Sequence, residues 1–526
     1  MKLLFISTIV MNCSFGEVSR KYIKMFEKYS NWDIYFFNIN TTESESKEVY
    51  KPSNKLHPIK YIPNYTLKND NYELVRCYIN GLFHINDYIL EINPDVVIML
   101  YNDSNIYRFS KVLNEIRHIW KGIFIPFTPV DYENPLDNLF CINYDACITM
   151  NKWSVNQIKS ISGVNYPVFD CAHIVNDFSR LEKDIIEQNK IKIYGEELSN
   201  KYIVGCVNAN NGRKRLDLVI NAFIKFYKTN PDSILYIKTT KFEKGGITTS
   251  FNLERFTKSY PIIVTTAYLS DEELNILYNT FDIMINATDG EGFGLTPFEA
   301  ALAGTLTILP NNSSFTSLIS DDDKIPNYLI PCKLYPYEYA RNMQDINKAL
   351  SGQIYFSVYY DCKSYENKLD RVQSFNNIIN NIINNIQTYV ISKKLVPCGN
   401  VFSDMDKLIK APWDSLQIQI LVTSDLGSLR YFLQWLSENN NIIWPGKNRS
   451  RKLIKLKSLN NLVGTDTPRV SLINTDDLCN KMIFYRKNKE QYESDLNSLH
   501  DFVLKNYNEK TVWDSFEKII HNVTKK

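Results

Sequence analysis

No stretch of this 526-residue chain approaches the roughly 20 consecutive apolar residues that a membrane-spanning helix needs. Its first ten residues contain one lysine and a short apolar run, and no small-residue cleavage site follows them. They therefore predict a first β-strand rather than a signal peptide. We expect neither a transmembrane segment nor export, and we expect a cytoplasmic location.

The sequence also lacks paired cysteines. Its ten cysteines are scattered, none forms a Cys-x-x-Cys pair, and no histidine cluster lies beside them. This spacing argues for a reducing compartment and against a zinc site. The acidic run Asp321 to Asp323 does not end an apolar strand and has no partner ligands, so it predicts a loop. We expect no bound metal.

An excess of charge of either sign is absent as well. The 60 basic and 58 acidic residues leave a net charge of +2, which gives no global field to attract nucleic acid or an anionic membrane. We expect no nucleic-acid partner. A local basic cluster extends from Lys447 to Lys457. It predicts a contact with anionic lipid at a membrane surface or with a charged acceptor, and the alternative is a solvated basic face.

The segment from Asp289 to Gly304 contains three alternating glycines between an apolar run and an alanine-rich run. This order predicts strand, glycine-rich loop and helix, and free amides at a helix N-terminus suit a phosphate-type anion. Thr296 precedes proline and lies three residues before Glu299, a pattern that predicts an N-cap with a capping box. Glu291 and Glu299 then face a ligand from two sides.

The segment resembles the Glu, seven residues, Glu signature of retaining glycosyltransferases of family 4, which have the GT-B fold. The resemblance implies that Glu299 binds the ribose of a sugar nucleotide and that Glu291 contacts the transferred sugar. The loop amides would hold the sugar and the diphosphate; the residues are Gly292, Phe293, Gly294, Leu295 and Thr296. The alternative is that Glu299 only caps its helix and that Glu291 is a solvated loop residue.

A second strand-loop-helix unit begins at Tyr202 and carries Arg213 and Lys214 where the helix starts. Arginine offers a planar fork and lysine a point charge, and both suit a diphosphate. The family has an arginine five residues before its lysine, where this chain has Ala209, but the resembled subgroup has an Arg-Lys pair in the place of 213 and 214. The alternative is a solvated basic helix start.

The first 40 residues predict a βαβ unit, and Gly16 lies in the loop after its first strand. The resemblance leaves two roles for Gly16, a donor contact or a simple turn. Asn102 and Asp103 follow the apolar strand 96 to 100. Because ligands of open α/β sheets bind at the carboxyl ends of strands, both are candidates for acceptor contact, with a solvated loop as the alternative.

Residues 127 to 136 resemble the Pro-Val-Asp loop of a subgroup of family 4. Asp131 would position an acceptor hydroxyl or take its proton, or would serve as a turn residue. His173 begins a segment similar to the family's His-Gly-Val-Asp crossover, with Ile174 for glycine and Asn176 for aspartate. His173 is either an acceptor-side residue or a structural histidine.

We expect an α/β protein of the GT-B fold, with two Rossmann-like, doubly wound domains facing a cleft. The expected bounds are 1 to 178 for the acceptor domain, 179 to 485 for the nucleotide-sugar domain with an insertion at 330 to 470, and 486 to 526 for helices returning to the first domain. Residues 179 to 200 predict an irregular linker.

The expected reaction is metal-independent, retaining transfer from a nucleoside diphosphate sugar to a glycan, lipid or protein acceptor, without a cofactor. The alternatives are an inactive sugar-nucleotide sensor or scaffold and a sugar-nucleotide epimerase of the same fold.

Overall fold

The computed structural model describes residues 1–9, 14–39, 54–59, 85–133, 140, 144–161, 163–175, 177–240, 257, 259–319, 324–336, 354–360, 396–398, 416–423, 443–445, 453–455 and 469–525. The predicted loop at 321 to 323 and most of the basic cluster at 447 to 457 lie outside these residues. None of the described helices is long and apolar enough to cross a bilayer.

Seven parallel strands form the first sheet, in the order β3-β2-β1-β4-β5-β6-β7. The strands are β1 Lys2–Ser7, β2 Asp33–Asn38, β3 Leu56–Ile59, β4 Val96–Leu100, β5 Ile123–Phe127, β6 Cys147–Thr149 and β7 Val168–Asp170. The helices are α1 Ser14–Tyr29, α2 Ile85–Ile92, α3 Asp103–Asn114 and α4 Lys152–Lys159. Every residue of β4 is buried, as its continuous apolar run predicts for a parallel strand covered on both faces.

Six parallel strands form the second sheet, in the order β10-β9-β8-β11-β12-β13. The strands are β8 Tyr202–Val207, β9 Ser233–Lys238, β10 Ile262–Thr265, β11 Ile283–Ile285, β12 Thr307–Pro310 and β13 Leu329–Ile330. The helices are α5 Lys183–Tyr194, α6 Glu196–Ser199, α7 Leu216–Tyr227, α8 Asp271–Asn279 and α9 Leu295–Leu302. The two parallel sheets confirm the expected fold class.

Three helices follow: α10 Thr475–Lys487, α11 Lys489–Asn506 and α12 Glu509–Thr524. The last one crosses back to the first domain, where Trp513 packs on Trp32 and Phe516 packs on Phe26. Helix α11 instead lies against α9 of the second domain. The return to the first domain therefore begins only after α11, later than residue 486.

One antiparallel strand pair joins two distant parts of the chain. Strand β14, Cys332–Pro336, pairs antiparallel with β20, Arg469–Ile473, so that residues 336 and 469 are partners. Between them the described pieces are β15 Ile354–Tyr360, β16 Val396–Cys398, β17 Leu416–Thr423, β18 Ile443–Pro445 and β19 Leu453–Lys455. The insertion expected at 330 to 470 stays a prediction.

Two local predictions are wrong. Residues 179 to 200 are not irregular, because α5 and α6 occupy 183 to 199. Gly16 does not lie in a loop, since α1 begins at Ser14 and places Gly16, buried, in its first turn. The mixture of charged and apolar side chains in α5 obscures its helical pattern in the sequence. A glycine after a strand favours a turn, although here it lies within a helix.

Candidate functional site

The basic turn and the glycine loop lie side by side. Strands β8 and β11 are parallel neighbours, so the segments that follow their carboxyl ends emerge at one edge of the sheet. The Asp289 amide donates to the carbonyl of Arg213 at 2.9 Å, and the Thr288 hydroxyl donates to the same oxygen at 3.3 Å. Residues 213 and 289 are thus joined through the backbone.

Two cations and two carboxylates meet at this point. Lys214 pairs with Glu291, and Arg213 lies 3.1 Å from Glu291 and 3.3 Å from Asp131 of the first domain. Burial alone would raise the pKa of Glu291, but Lys214 and Arg213 together lower it to about 2. Burial lowers the pKa of Lys214 against the opposing effect of Glu291. Glu291 is therefore a buried, ionised residue, and the solvated-loop alternative is wrong.

Two glycines allow the domains to touch. A Cβ on Gly290 would lie 1.9 Å from the carbonyl oxygen of Asp131, and one on Gly292 would lie 2.3 Å from the Cβ of Pro129. The Asn151 amide also donates to the carbonyl of Gly292 at 2.7 Å. Because the glycine loop packs directly against the 129 to 131 loop, any side chain at 290 or 292 would collide with it.

Helix α9 begins earlier than its sequence pattern predicts. Gly294 is the N-cap residue, with φ of 84° in the left-handed region that glycine adopts freely, and the helix starts at Leu295. Thr296 is therefore in the first turn, and the predicted capping box with Glu299 is wrong. The amides of Leu295 and Thr296 belong to the set that an α-helix leaves without an intrahelical partner.

The carboxylate of Glu299 accepts a hydrogen bond from a side chain and does not cap its helix. The Tyr278 hydroxyl donates to its Oε2 at 2.8 Å. Burial raises the pKa of Glu299 to about 7, against the lowering effect of Lys21 on α1. The alternative that Glu299 only caps its helix is thereby excluded, and its carboxyl group lies within the electrostatic reach of the first domain.

His173 is buried among aromatic rings. Its ring centroid lies 5.1 Å from that of Phe293 in the glycine loop and 5.7 Å from that of Phe127, and its Nδ1 has no hydrogen-bond partner among the residues that the structure describes. Burial lowers its pKa to about 3, so the imidazole is neutral. The surroundings of His173 are those of a structural histidine, and an acceptor contact by His173 stays a prediction.

Asn102 is a helix cap. Its Oδ1 accepts from the Asn105 amide at 3.0 Å at the start of α3, and Asp103 is the first residue of that helix. Residues 102 and 103 therefore lie at an ordered helix start after β4, and the alternative of a solvated loop is wrong. The acceptor contacts predicted for Asn102 and Asp103 remain untested.

The polar residues that hold the glycine loop from behind were not predicted from the sequence. Ser313 Oγ accepts from the Glu291 amide at 2.8 Å, and Ser314 Oγ donates to the Phe293 carbonyl at 2.9 Å. Asn151, also missed, caps α4 by accepting from the Ser154 amide at 2.9 Å. The available signal was position, since these residues follow the carboxyl ends of β12 and β6.

Within the residues that the structure describes, no group of three or more histidine, cysteine, aspartate or glutamate side chains is arranged to hold a metal ion.

Comparison with known proteins matches residues 187–351 to the family described as Glycosyl transferases group 1. No curated protein matches the chain. Among solved structures, HepE of Anabaena in complex with UDP-glucose is similar, with 11% identity, a TM-score of 0.46, and coverage of 61% of this chain and 83% of that one. The sucrose-phosphate synthase of Thermosynechococcus elongatus has 13% identity and a TM-score of 0.47, with coverage of 63% and 86%.

The alpha,alpha-trehalose-phosphate synthase (UDP-forming) of Burkholderia xenovorans has 9% identity and a TM-score of 0.44, with coverage of 66% of this chain and 91% of that one. At these values, the resemblance to solved structures carries no argument about substrates. The matched family segment contains the basic turn, the glycine loop and both glutamates of the site.

Proposed function

We propose that this protein transfers a sugar from a nucleoside diphosphate sugar to an acceptor hydroxyl, because residues 187–351 match the family described as Glycosyl transferases group 1. The observation that carries the proposal is the meeting of Arg213 and Lys214 with the glycine loop at one edge of the second sheet. Cations, backbone amides and a helix N-terminus are the groups that bind a diphosphate.

In this proposal the donor diphosphate replaces carboxylates as the partner of the two cations. Glu291 and Asp131 now neutralise Arg213 and Lys214, so they must move aside or turn to other groups when the diphosphate binds. Glu291 would then face the transferred sugar, and Glu299 the ribose. As the bond to the leaving diphosphate breaks, Arg213, Lys214 and the loop amides stabilise its developing charge.

The acceptor would enter from the first domain, beside Asp131 and the carboxyl ends of β4 and β5. The Asp131 side chain is 32% exposed and pairs with Arg213, and in this proposal it orients the acceptor hydroxyl. We propose retention of the anomeric configuration by a front-face reaction, in which the leaving phosphate takes the acceptor proton. We also propose that no metal takes part.

The test is a transfer assay with UDP- and GDP-sugars and an array of glycan, lipid and peptide acceptors. We expect a glycoside with the donor's anomeric configuration by NMR and undiminished activity in a chelator. Lys214→Ala is the loss-of-function control. An inverted product, or activity lost to the chelator and restored by manganese, would contradict the corresponding part of the proposal.

A catalytically inactive sugar-nucleotide sensor is the second candidate. Two observations favour it: Ala209 occupies the place of the family's arginine, and the 129 to 131 loop packs directly on the glycine loop. A sensor would bind the nucleotide sugar without transferring it, whereas an epimerase would convert the nucleotide sugar without an acceptor. The same assay, with the donor analysed before and after incubation, distinguishes all three.

A further inference from the structure

Arg215 follows the two proposed diphosphate cations and has an unusual backbone. Its φ of 50° and ψ of 46° lie in the left-handed region, which is unfavourable for residues with a Cβ atom. It is also 4% exposed, so its guanidinium is held away from water. A strained backbone and a buried charge at one residue persist only where surrounding contacts support them.

The supporting contacts come from two different segments. Arg215 binds Asp217 of α7 with two hydrogen bonds, from Nε to Oδ1 at 3.0 Å and from Nη2 to Oδ2 at 2.7 Å. Its Nη1 lies 3.3 Å from Oδ1 of Asp289, which begins the glycine loop. The guanidinium fork therefore joins the first turn of α7 to the loop.

Asp289 is itself the junction of three segments. Its amide donates to the Arg213 carbonyl at 2.9 Å, and its carbonyl accepts from the Ser471 amide of β20 at 3.0 Å. Its carboxylate is buried and would lose its hydrogen-bonded cation without Arg215. Burial already raises the pKa of Asp289 to about 7, against the effect of Arg215. The buried ion pair with Arg215 thus adds to the backbone bonds that hold the start of the glycine loop.

We propose that Arg215 is a positioning residue, which holds the glycine loop against the basic turn so that Arg213, Lys214 and the loop amides face the same diphosphate. The proposal rests on the function proposed above. Arg215 acts through Asp289 and Asp217, because its three guanidinium nitrogens are directed at those carboxylates and its side chain is buried.

The left-handed backbone of Arg215 suggests the decisive variant. In Arg215→Gly the backbone conformation suits the new residue, so the substitution removes the guanidinium while the turn is kept. Arg215→Lys keeps a positive charge but lacks the fork that reaches two carboxylates. The matched control is Arg117→Met, because Arg117 also binds an aspartate, Asp145, at 2.6 Å, but in the first domain.

Calorimetry with UDP and GDP, and with uridine and guanosine, measures the effect. We expect Arg215→Gly to weaken the diphosphate that binds the wild type by about tenfold, a size typical of supporting contacts around a bound group, and to leave the nucleoside nearly unchanged. Arg215→Lys should regain only part of the lost affinity. Free guanidinium at low millimolar concentration should improve diphosphate binding by Arg215→Gly and not by the wild type.

Hydrogen exchange gives a second readout without ligand. The amides of residues 289 to 294 should exchange faster in Arg215→Gly and at the wild-type rate in Arg117→Met. Wild-type diphosphate affinity and loop exchange in Arg215→Gly would overturn the positioning role. Full recovery of affinity by Arg215→Lys would also overturn it, since charge alone would then suffice.

A wild-type protein that binds neither diphosphate would instead refute the proposed function, and the positioning role with it. If Arg215→Gly does not fold, Arg215→Lys decides the matter. Weakened diphosphate binding with unchanged nucleoside binding supports the proposal, and unchanged binding of both overturns it.

Discussion

Replacing Glu291 by glutamine should make nucleoside diphosphate bind more tightly while transfer is lost. Glu291 is ionised, its side chain is 7% exposed, and it pairs with both cations that the diphosphate is proposed to meet. Ligand and carboxylate therefore compete for Lys214 and Arg213. Glutamine keeps the shape of the side chain and removes the competing charge, whereas the contact proposed between Glu291 and the transferred sugar is weakened.

The magnitude follows from the buried ion pairs. Removing one partner of a buried pair costs about 3 to 5 kcal/mol, and we take the lower end because Asp131 still neutralises Arg213 at 3.3 Å. A bound diphosphate restores about 1.5 to 3 kcal/mol through a charge-assisted hydrogen bond. We expect about half of that gain, about 0.75 to 1.5 kcal/mol, as affinity, which corresponds to about 4- to 13-fold tighter binding.

Calorimetry and thermal unfolding test this expectation together. Without ligand Glu291→Gln should unfold at a lower temperature than the wild type. The diphosphate should raise the Tm of the variant by more, because stabilisation by a ligand rises with the logarithm of its affinity. The lowered pKa of Glu291 means that its stabilisation is present above the unfolded value near 4.5 and is lost as pH falls toward 2. The difference in stability between variant and wild type should therefore shrink below about pH 4.5.

The result that would refute the reasoning is equal or weaker diphosphate binding by Glu291→Gln. Carboxylate and diphosphate would then not compete, and the ion pairs of Glu291 would persist in the complex. Glu299→Gln is the control, since the proposed partner of Glu299 is the ribose and its removal should not favour the diphosphate.

Lys214→Ala and Arg213→Ala should each weaken nucleoside diphosphate far more than nucleoside in calorimetry, and equal wild-type affinity for the two ligands would remove the basis for this assignment. Because burial raises the pKa of Glu299 to about 7, nucleoside affinity should increase as pH rises from 6 to 8 and the carboxylate ionises. Glu299→Gln should abolish that dependence, and a wild-type affinity flat over this range would exclude Glu299 as the ribose ligand. Gly292→Ala places a Cβ 2.3 Å from Pro129, so we expect about 1 to 3 kcal/mol of destabilisation. We also expect the transfer rate to fall by more than the diphosphate affinity. If the Gly292→Ala variant were as stable as the wild type, the domains would not need to touch there.

Local sequence pattern predicted strands of the α/β fold and the two loops that meet at the candidate site. Strand β4 has the bounds that its apolar run predicts, because a parallel strand buried on both faces needs an uninterrupted apolar run. The glycine loop and the basic turn were also identified from sequence, since spacing and residue type alone mark a turn between strand and helix.

The tertiary structure decided what those groups contact. Pairing of Arg213 with Asp131 and of Asn151 with Gly292 joins residues 82 and 141 positions apart, and no local pattern encodes which distant loops meet. The start of α9 was decided by the left-handed conformation of Gly294 rather than by the capping pattern around Thr296. In the sequence, Arg215 is only a basic residue next to Lys214. In the structure it is buried between Asp217 and Asp289 and links them, because a charge removed from water needs partners within the folded chain.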